Sequence, residues 1–248
     1  MKAKKVLYYV TLTVLIGVFA FSAYKLTDYW IAKVRSEKMM EAASQFVGVT
    51  TENEEGSENL VITGDPESMV IDFESLWKIN EDIVAWIYCP DTRINYPIVQ
   101  GSDNSYYLYR LLDGTWNVNG TIFMDYRNNS NFTDGNTLIY GHRMKTGAMF
   151  AELINYNRQS FYDEHPCMYI YTPDQTYRMD LFAACVVDSI GDIYGLNPSD
   201  DVIRSCIEKS TFIADLSWPT GNVVTLSTCT YEYEDARYVV LGDLVPIG

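Results

Sequence analysis

A thiol at the end of a β-branched run, with a cation a few residues beyond it, has the makings of a nucleophile. Val223-Val-Thr-Leu-Ser-Thr leads directly into Cys229, and eight residues later Arg237 opens a second β-rich run, Arg-Tyr-Val-Val-Leu. Read as two paired strands, the runs bring the thiol and the guanidinium within roughly 5 to 8 Å, depending on register. A neighbouring cation lowers a thiol's pKa and favours the reactive thiolate. Such a nucleophile also needs a proton carrier and a group to hold the developing oxyanion. The chain has two histidines. His142 follows the strand-like Thr137-Leu-Ile-Tyr-Gly141, at a strand end where a glycine permits close backbone approach. The alternative is a surface histidine in a turn. His165 sits in the acidic turn Asp163-Glu-His-Pro166, which predicts a solvated role. Arg237 suits the oxyanion task because a guanidinium stays charged and presents several donors. Its competing use is a salt bridge to Glu232, Glu234 or Asp235.

These residues have to be carried by something rigid. From residue 83 onward, short β-rich runs cover 84–88, 94–99, 120–124, 137–141, 168–172, 177–187, 223–227 and 237–245. Pro90-Asp91, Asp113-Gly114, Asp134-Gly-Asn136 and Pro173-Asp174 punctuate them as turns. The pattern predicts a mainly β, closed or nearly closed barrel with helical insertions. One helix is clear: Pro198-Ser-Asp-Asp supplies capping residues, and Val202, Ile203, Cys206 and Ile207 an apolar face. A second short helix is predicted over 147–156, and a packing helix over 71–80.

Residues 6–24 contain no charge and, at about 1.5 Å each, match the ~30 Å of a hydrocarbon core. Three lysines precede them, which predicts a single-pass anchor with a cytoplasmic N-terminus and the remainder outside. Ala20, Ser22 and Ala23 offer the alternative of a cleaved signal peptide, but the run exceeds the usual signal core. Residues 26–45 read as a helix continuing outward. Residues 48–68, with Thr50-Thr-Glu-Asn-Glu-Glu-Gly-Ser-Glu58, read as a flexible acidic linker.

Residues 1–25 hold four of the 18 basic residues and none of the 33 acidic ones, so the rest is more acidic than the net charge of −15 indicates. That charge disfavours nucleic acid and anionic surfaces as partners of the ectodomain. Five cysteines leave at least one outside any intramolecular disulfide. Cys185 and Cys206 lie in apolar patterns that predict inert buried thiols. No Cys/His metal spacing or calcium loop is visible, so no metal or cofactor is expected.

Thr225-Leu-Ser-Thr-Cys229 with Arg237, and His142 in Tyr140-Gly-His-Arg-Met144, resemble the sortases, membrane-anchored transpeptidases of Gram-positive bacteria. Asn80-Glu-Asp-Ile-Val-Ala-Trp-Ile87, Ile94-Asn-Tyr-Pro-Ile-Val-Gln-Gly101, Gly120-Thr-Ile-Phe-Met-Asp-Tyr-Arg127 and Ser160-Phe-Tyr162 are similar to class B members. The helix between Pro198 and Ser210 matches the class B insertion. The resemblance covers roughly 70–248. It implies an eight-stranded sortase β-barrel with N-terminal helices and a helical insertion before the cysteine strand, preceded by one transmembrane helix. It divides the chain into a cytoplasmic N-terminus (1–5), a signal-anchor (6–24), an extracellular helix and linker (25–69) and a catalytic domain (70–248).

The implied chemistry is attack by Cys229 on the threonine carbonyl of a C-terminal sorting signal, NPxT-type or related, giving a thioacyl enzyme. His142 is implied as general acid and then base, and Arg237 as oxyanion stabiliser. Asn104, Leu108, Tyr194 and Ser227 are implied to line the peptide groove. The implied acceptor is an amine of a lipid-linked cell-wall precursor, or in a minority of members a pilin lysine. Two other classes compete. A papain-like or NlpC-like hydrolase places its cysteine before its histidine and at a helix start, the reverse of this order. A non-enzymatic surface module would make Cys229 merely structural.

Overall fold

The computed structural model describes residues 2–52, 58–61, 65–230 and 232–247. The first element is a single unbroken helix, α1 (Lys2–Ser44). Its N-terminal half is apolar, exposed, and long enough to cross a membrane. Its C-terminal half packs on the rest of the chain. Ser36 and Ala43 are buried there, and the side chain of Asn117 donates to the Ala32 carbonyl at 2.9 Å.

The acidic segment after α1 departs from the linker reading. β1 (Val47–Glu52) pairs antiparallel with β2 (Glu58–Val61) and with β3 (Val70–Ile71) in a small three-stranded sheet. The acidic composition masked Val47, Val49, Thr50 and Thr51, whose β-branched side chains favour extended backbone. Residues 53–57 and 62–64 of that predicted linker lie outside the described residues. A short helix, α2 (Phe73–Trp77), follows, capped by the Asp72 carboxylate on the Ser75 N–H at 3.0 Å.

The main body is a closed barrel of eight strands. In chain order these are β4 (Ile83–Tyr88), β5 (Asn95–Val99), β6 (Phe123–Met124), β7 (Asn136–Tyr140), β8 (Cys167–Tyr171), β9 (Thr176–Asp188), β10 (Asn222–Cys229) and β11 (Ala236–Ile247). Around the barrel they run β10-β11-β9-β8-β4-β5-β6-β7 and close back onto β10. All neighbours are antiparallel except β5 with β6 and β7 with β10. The eight predicted β runs are these eight strands, with ends shifted by a residue or more. The interior is filled by Ile87, Ile98, Ile139, Ile170, Leu226 and Val240, all fully buried. Each such side chain contributes about 1.5–3 kcal/mol by leaving water. Phe150, Leu153 and Tyr156 join this core from a 3-10 segment where the sequence pattern predicts a helix.

α3 (Gln159–Glu164) precedes β8, and α4 (Asp200–Glu208) lies between β9 and β10. Ile203 and Cys206 of α4 bury against Phe182, Cys185, Val239 and Leu241, so the insertion covers the outer face of β9 and β11. The predicted cap at Ser199 acts without a side-chain hydrogen bond. Asp200 and Asp201 in the first turn instead offer charge to the helix dipole.

Candidate active site

Strand register assembles the site. β10 pairs antiparallel with β11, and Cys229 stands directly opposite Arg237. On its other side β10 runs parallel to β7, with Ser227 level with Tyr140. Continuing both strands by two residues brings Cys229 level with His142. The ladder itself continues part of the way, because the Gly141 N–H donates to the Ser227 carbonyl at 3.1 Å. The Thr228 hydroxyl donates to the Gly141 carbonyl at 2.8 Å, cross-linking the two strand ends just before the functional side chains. The thiol therefore sits between a histidine on one neighbouring strand end and a guanidinium on the other. All three are half-buried.

Two glycines make this approach possible. A Cβ on Gly141 would lie 2.7 Å from the Phe150 ring and 3.1 Å from the Ile122 methyl. Gly120, at φ +58°, lies so close to the Leu108 carbonyl that a Cβ would meet its oxygen at 2.4 Å. That carbonyl matters, because it accepts a hydrogen bond from His142 Nε2 at 2.7 Å. A carbonyl oxygen can only accept, so Nε2 carries a hydrogen. The ring also lies against Tyr109, with centroids 5.6 Å apart. Among the described residues no hydrogen bond joins His142 to Cys229.

Arg237 does not form the alternative ion pairs with Glu232, Glu234 or Asp235 among the described residues. Its Nη1 donates to the Ala236 carbonyl at 3.0 Å, and Glu232 accepts from the Thr230 hydroxyl. Tyr231, part of that acidic connection, lies outside the described residues. His165 is half-buried against Phe161, 4.5 Å between ring centroids, and does not line the groove. Cys185 and Cys206 are buried.

A groove of about 470 Å³ opens over the three residues, and Asn104, Leu108, Tyr194 and Ser227 all line it. The Tyr194 hydroxyl and Ser227 Oγ are hydrogen-bonded at 2.9 Å. Burial pushes the Tyr194 phenol up to about 12, against the opposing pull of Ser227 and the Arg237 charge. Buried Asn136 holds Tyr194's segment to the barrel by donating to the carbonyls of Ile193 (2.8 Å) and Gly195 (3.0 Å). Sequence reasoning missed Asp125, Arg127 and Tyr140 as groove residues. They stood in the sequence only inside runs quoted as family signatures, and nothing in their spacing marked them as partners.

A thiol, a histidine and an arginine on three adjacent strand ends of an eight-stranded barrel define a cysteine acyl-transfer site of the sortase type. Residues 87–245 match the sortase domain, and the chain belongs to the sortase family of cysteine transpeptidases. Within that family it is a class B sortase. It is 31% identical over 242 residues to sortase B of Listeria monocytogenes, covering 94% of each chain. It is 32% identical over 193 residues to sortase B of Staphylococcus aureus, covering 71% of this chain and 75% of that one. Among solved structures it is similar to the S. aureus sortase B–substrate complex (TM-score 0.67, 31% identity, 71% of this chain and 85% of that chain). It is also similar to Bacillus anthracis sortase B in complex with AAEK1 (TM-score 0.69, 31% identity, 88% and 99%).

Proposed function

We propose that this transpeptidase cleaves a C-terminal sorting signal of the NPxT type after its threonine and passes the protein to an amine of a cell-wall precursor. Cys229 passes its thiol proton to His142, and the Sγ thiolate attacks the threonine carbonyl carbon. The tetrahedral oxyanion is met by the Arg237 guanidinium, and the C–N bond breaks as His142 gives its proton to the leaving amine. The resulting thioacyl enzyme is attacked by the acceptor amine, whose proton returns to His142, and the thiolate leaves. Asn104, Leu108, Tyr194 and Ser227 line the path of the peptide. Residues 6–24 span the membrane, with 1–5 in the cytoplasm and the catalytic domain of 70–248 outside, carried on the segment 25–69.

The observation that carries this reading is the register at β10, which supports one thiol flanked by a proton carrier and a fixed cation. The similar S. aureus sortase B structure is a complex with a substrate, and the groove of this chain opens over Cys229, His142 and Arg237.

The test is peptide cleavage with and without an amine acceptor. Cys229→Ala is expected to abolish turnover with an unchanged melting temperature. Arg237→Lys keeps the charge but loses the planar fork, and is expected to lower kcat by roughly 10²-fold, the scale of losing an oxyanion donor. Normal turnover by Cys229→Ala refutes the mechanism.

A further inference from the structure

At the base of the groove lies a carboxylate that no step above employs. Asp125, one residue beyond β6, is fully buried. Its Oδ1 accepts from the Arg127 backbone N–H (3.0 Å) and Arg127 Nε (2.8 Å). Its Oδ2 accepts from Arg127 Nη2 (2.8 Å), Asn104 Nδ2 (2.9 Å) and the Tyr140 hydroxyl (2.9 Å). Arg127 Nη2 in turn donates to the Tyr194 carbonyl at 3.1 Å. One carboxylate thus joins the loop after β5, the end of β7 and the segment ahead of α4. Each of these carries a side chain that lines the groove.

What the carboxylate fixes is hydrogen-bond polarity. Asn104 turns Nδ2 to Asp125 while its Oδ1 accepts from the Tyr126 N–H at 3.1 Å. Flipping that amide would lose both bonds and set its oxygen against a carboxylate. The Tyr140 hydroxyl hydrogen is committed to Asp125, so the phenol oxygen can offer only lone pairs elsewhere. Asn104 keeps one N–H to give. The two groups lie on the same oxygen, so the groove presents a donor and an acceptor as near neighbours. That pair is the complement of one amide group. Arg127, held in a two-point grip, has its charge paired with Asp125 there.

We propose that Asp125 is a positioning residue for peptide recognition. It fixes Asn104 as donor and Tyr140 as acceptor toward a single amide of the substrate, without touching the substrate itself. The inference rests on the peptide-transfer reading above. The competing role is a purely structural cross-link, which would affect stability and leave recognition alone.

Asp125→Asn keeps the shape and removes the charge. The new amide brings its own N–H groups to a site already crowded with donors, so the polarity of Asn104 or Tyr140 must change. Full-length protein in detergent is assayed with an NPxT-type peptide. KM is expected to rise roughly tenfold or more, with kcat within about threefold, as for lost uniform binding. Labelling of Cys229 by a small methanethiosulfonate reagent, which needs the thiol and not the Asn104–Tyr140 pair, is expected to keep its wild-type rate. Asn104→Ala is expected to raise KM in the wild-type background and to add little in the Asp125→Asn background. An unchanged KM, slowed labelling, or additive effects of the two substitutions overturns the proposal.

If Asp125→Asn fails to fold, Asn104→Ala and Tyr140→Phe provide the same test. Their effects on KM are expected to be non-additive, because both groups are set by the same oxygen, and additivity overturns the positioning role. A wild-type enzyme that does not turn the peptide over refutes the parent reading instead.

Discussion

Gly141→Ala is a demanding single-atom perturbation of this site. The added methyl would stand 2.7 Å from two carbons of the Phe150 ring, where ordinary contact needs 3.4 Å or more. Neither side can yield freely. Phe150 is fully buried in the barrel core, and its N–H is bonded to the His142 carbonyl at 3.1 Å. Gly141 itself is held by Ser227 through its N–H and by Thr228 through its carbonyl. Overpacking of this kind costs about 1–3 kcal/mol. For a domain of this size that is a fall of roughly 2–12 °C in melting temperature. The strain has to be relieved through residues 141–142, so His142 moves relative to Cys229, and a displacement of about 1 Å costs on the order of 10²-fold in rate. Thermal melts and peptide-cleavage kinetics measure the two effects separately. Adding Phe150→Leu, which removes part of the ring, is expected to recover a share of both. A Gly141→Ala protein with wild-type melting temperature and kcat would refute the claim that this close approach sets the histidine.

Two further expectations concern the supports of the groove. Asn136→Ala strips donors from the buried-side carbonyls of Ile193 and Gly195 and the acceptor from Thr225. It is expected to cost about 2–3 kcal/mol in denaturant melts and to raise peptide KM by freeing Tyr194. Asp125 is pulled in opposite directions: burial raises its pKa, and the bonds from Arg127, Asn104 and Tyr140 together more than offset that, holding it down at about 2. A depressed carboxyl pKa stabilises the fold above its unfolded value near 4, and that contribution, about 2 kcal/mol, is lost as pH falls from 4 toward 2. Asp125→Asn is therefore expected to flatten the acid limb of the stability curve between those pH values. An acid limb as steep as that of the wild type contradicts the assignment.

How far the sequence alone reached depended on the range of each interaction. Alternation and turn residues are local, so the eight barrel strands were legible. The adjacency of Cys229 and Arg237 followed from a short connection between consecutive strands. The parallel pairing of β7 with β10 joins segments more than 80 residues apart, and nothing in either run specifies the other. His142 was therefore nominated by scarcity, by its place at the end of a strand-like run and by resemblance. Asp125 was invisible for a related reason: its donors Asn104 and Tyr140 lie 21 and 15 residues away on separate elements. The acidic stretch after α1 misled in the opposite sense. Its charge suggested solvated chain, while its valines and threonines had enough β preference to pair.

The unbroken course of α1 has a consequence for how the enzyme meets its substrates. From Lys25 to Ser44 the helix rises about 30 Å, and Asn117 grips it only eight residues past Tyr24. A helix that is at once the candidate span and a packed part of the domain cannot behave as a loose leash. Seated in a bilayer as proposed, it would set the height and the compass bearing of the groove together. Under the membrane placement proposed above, partners held in the same bilayer would need only to drift sideways to be presented to Cys229, a search in two dimensions instead of three.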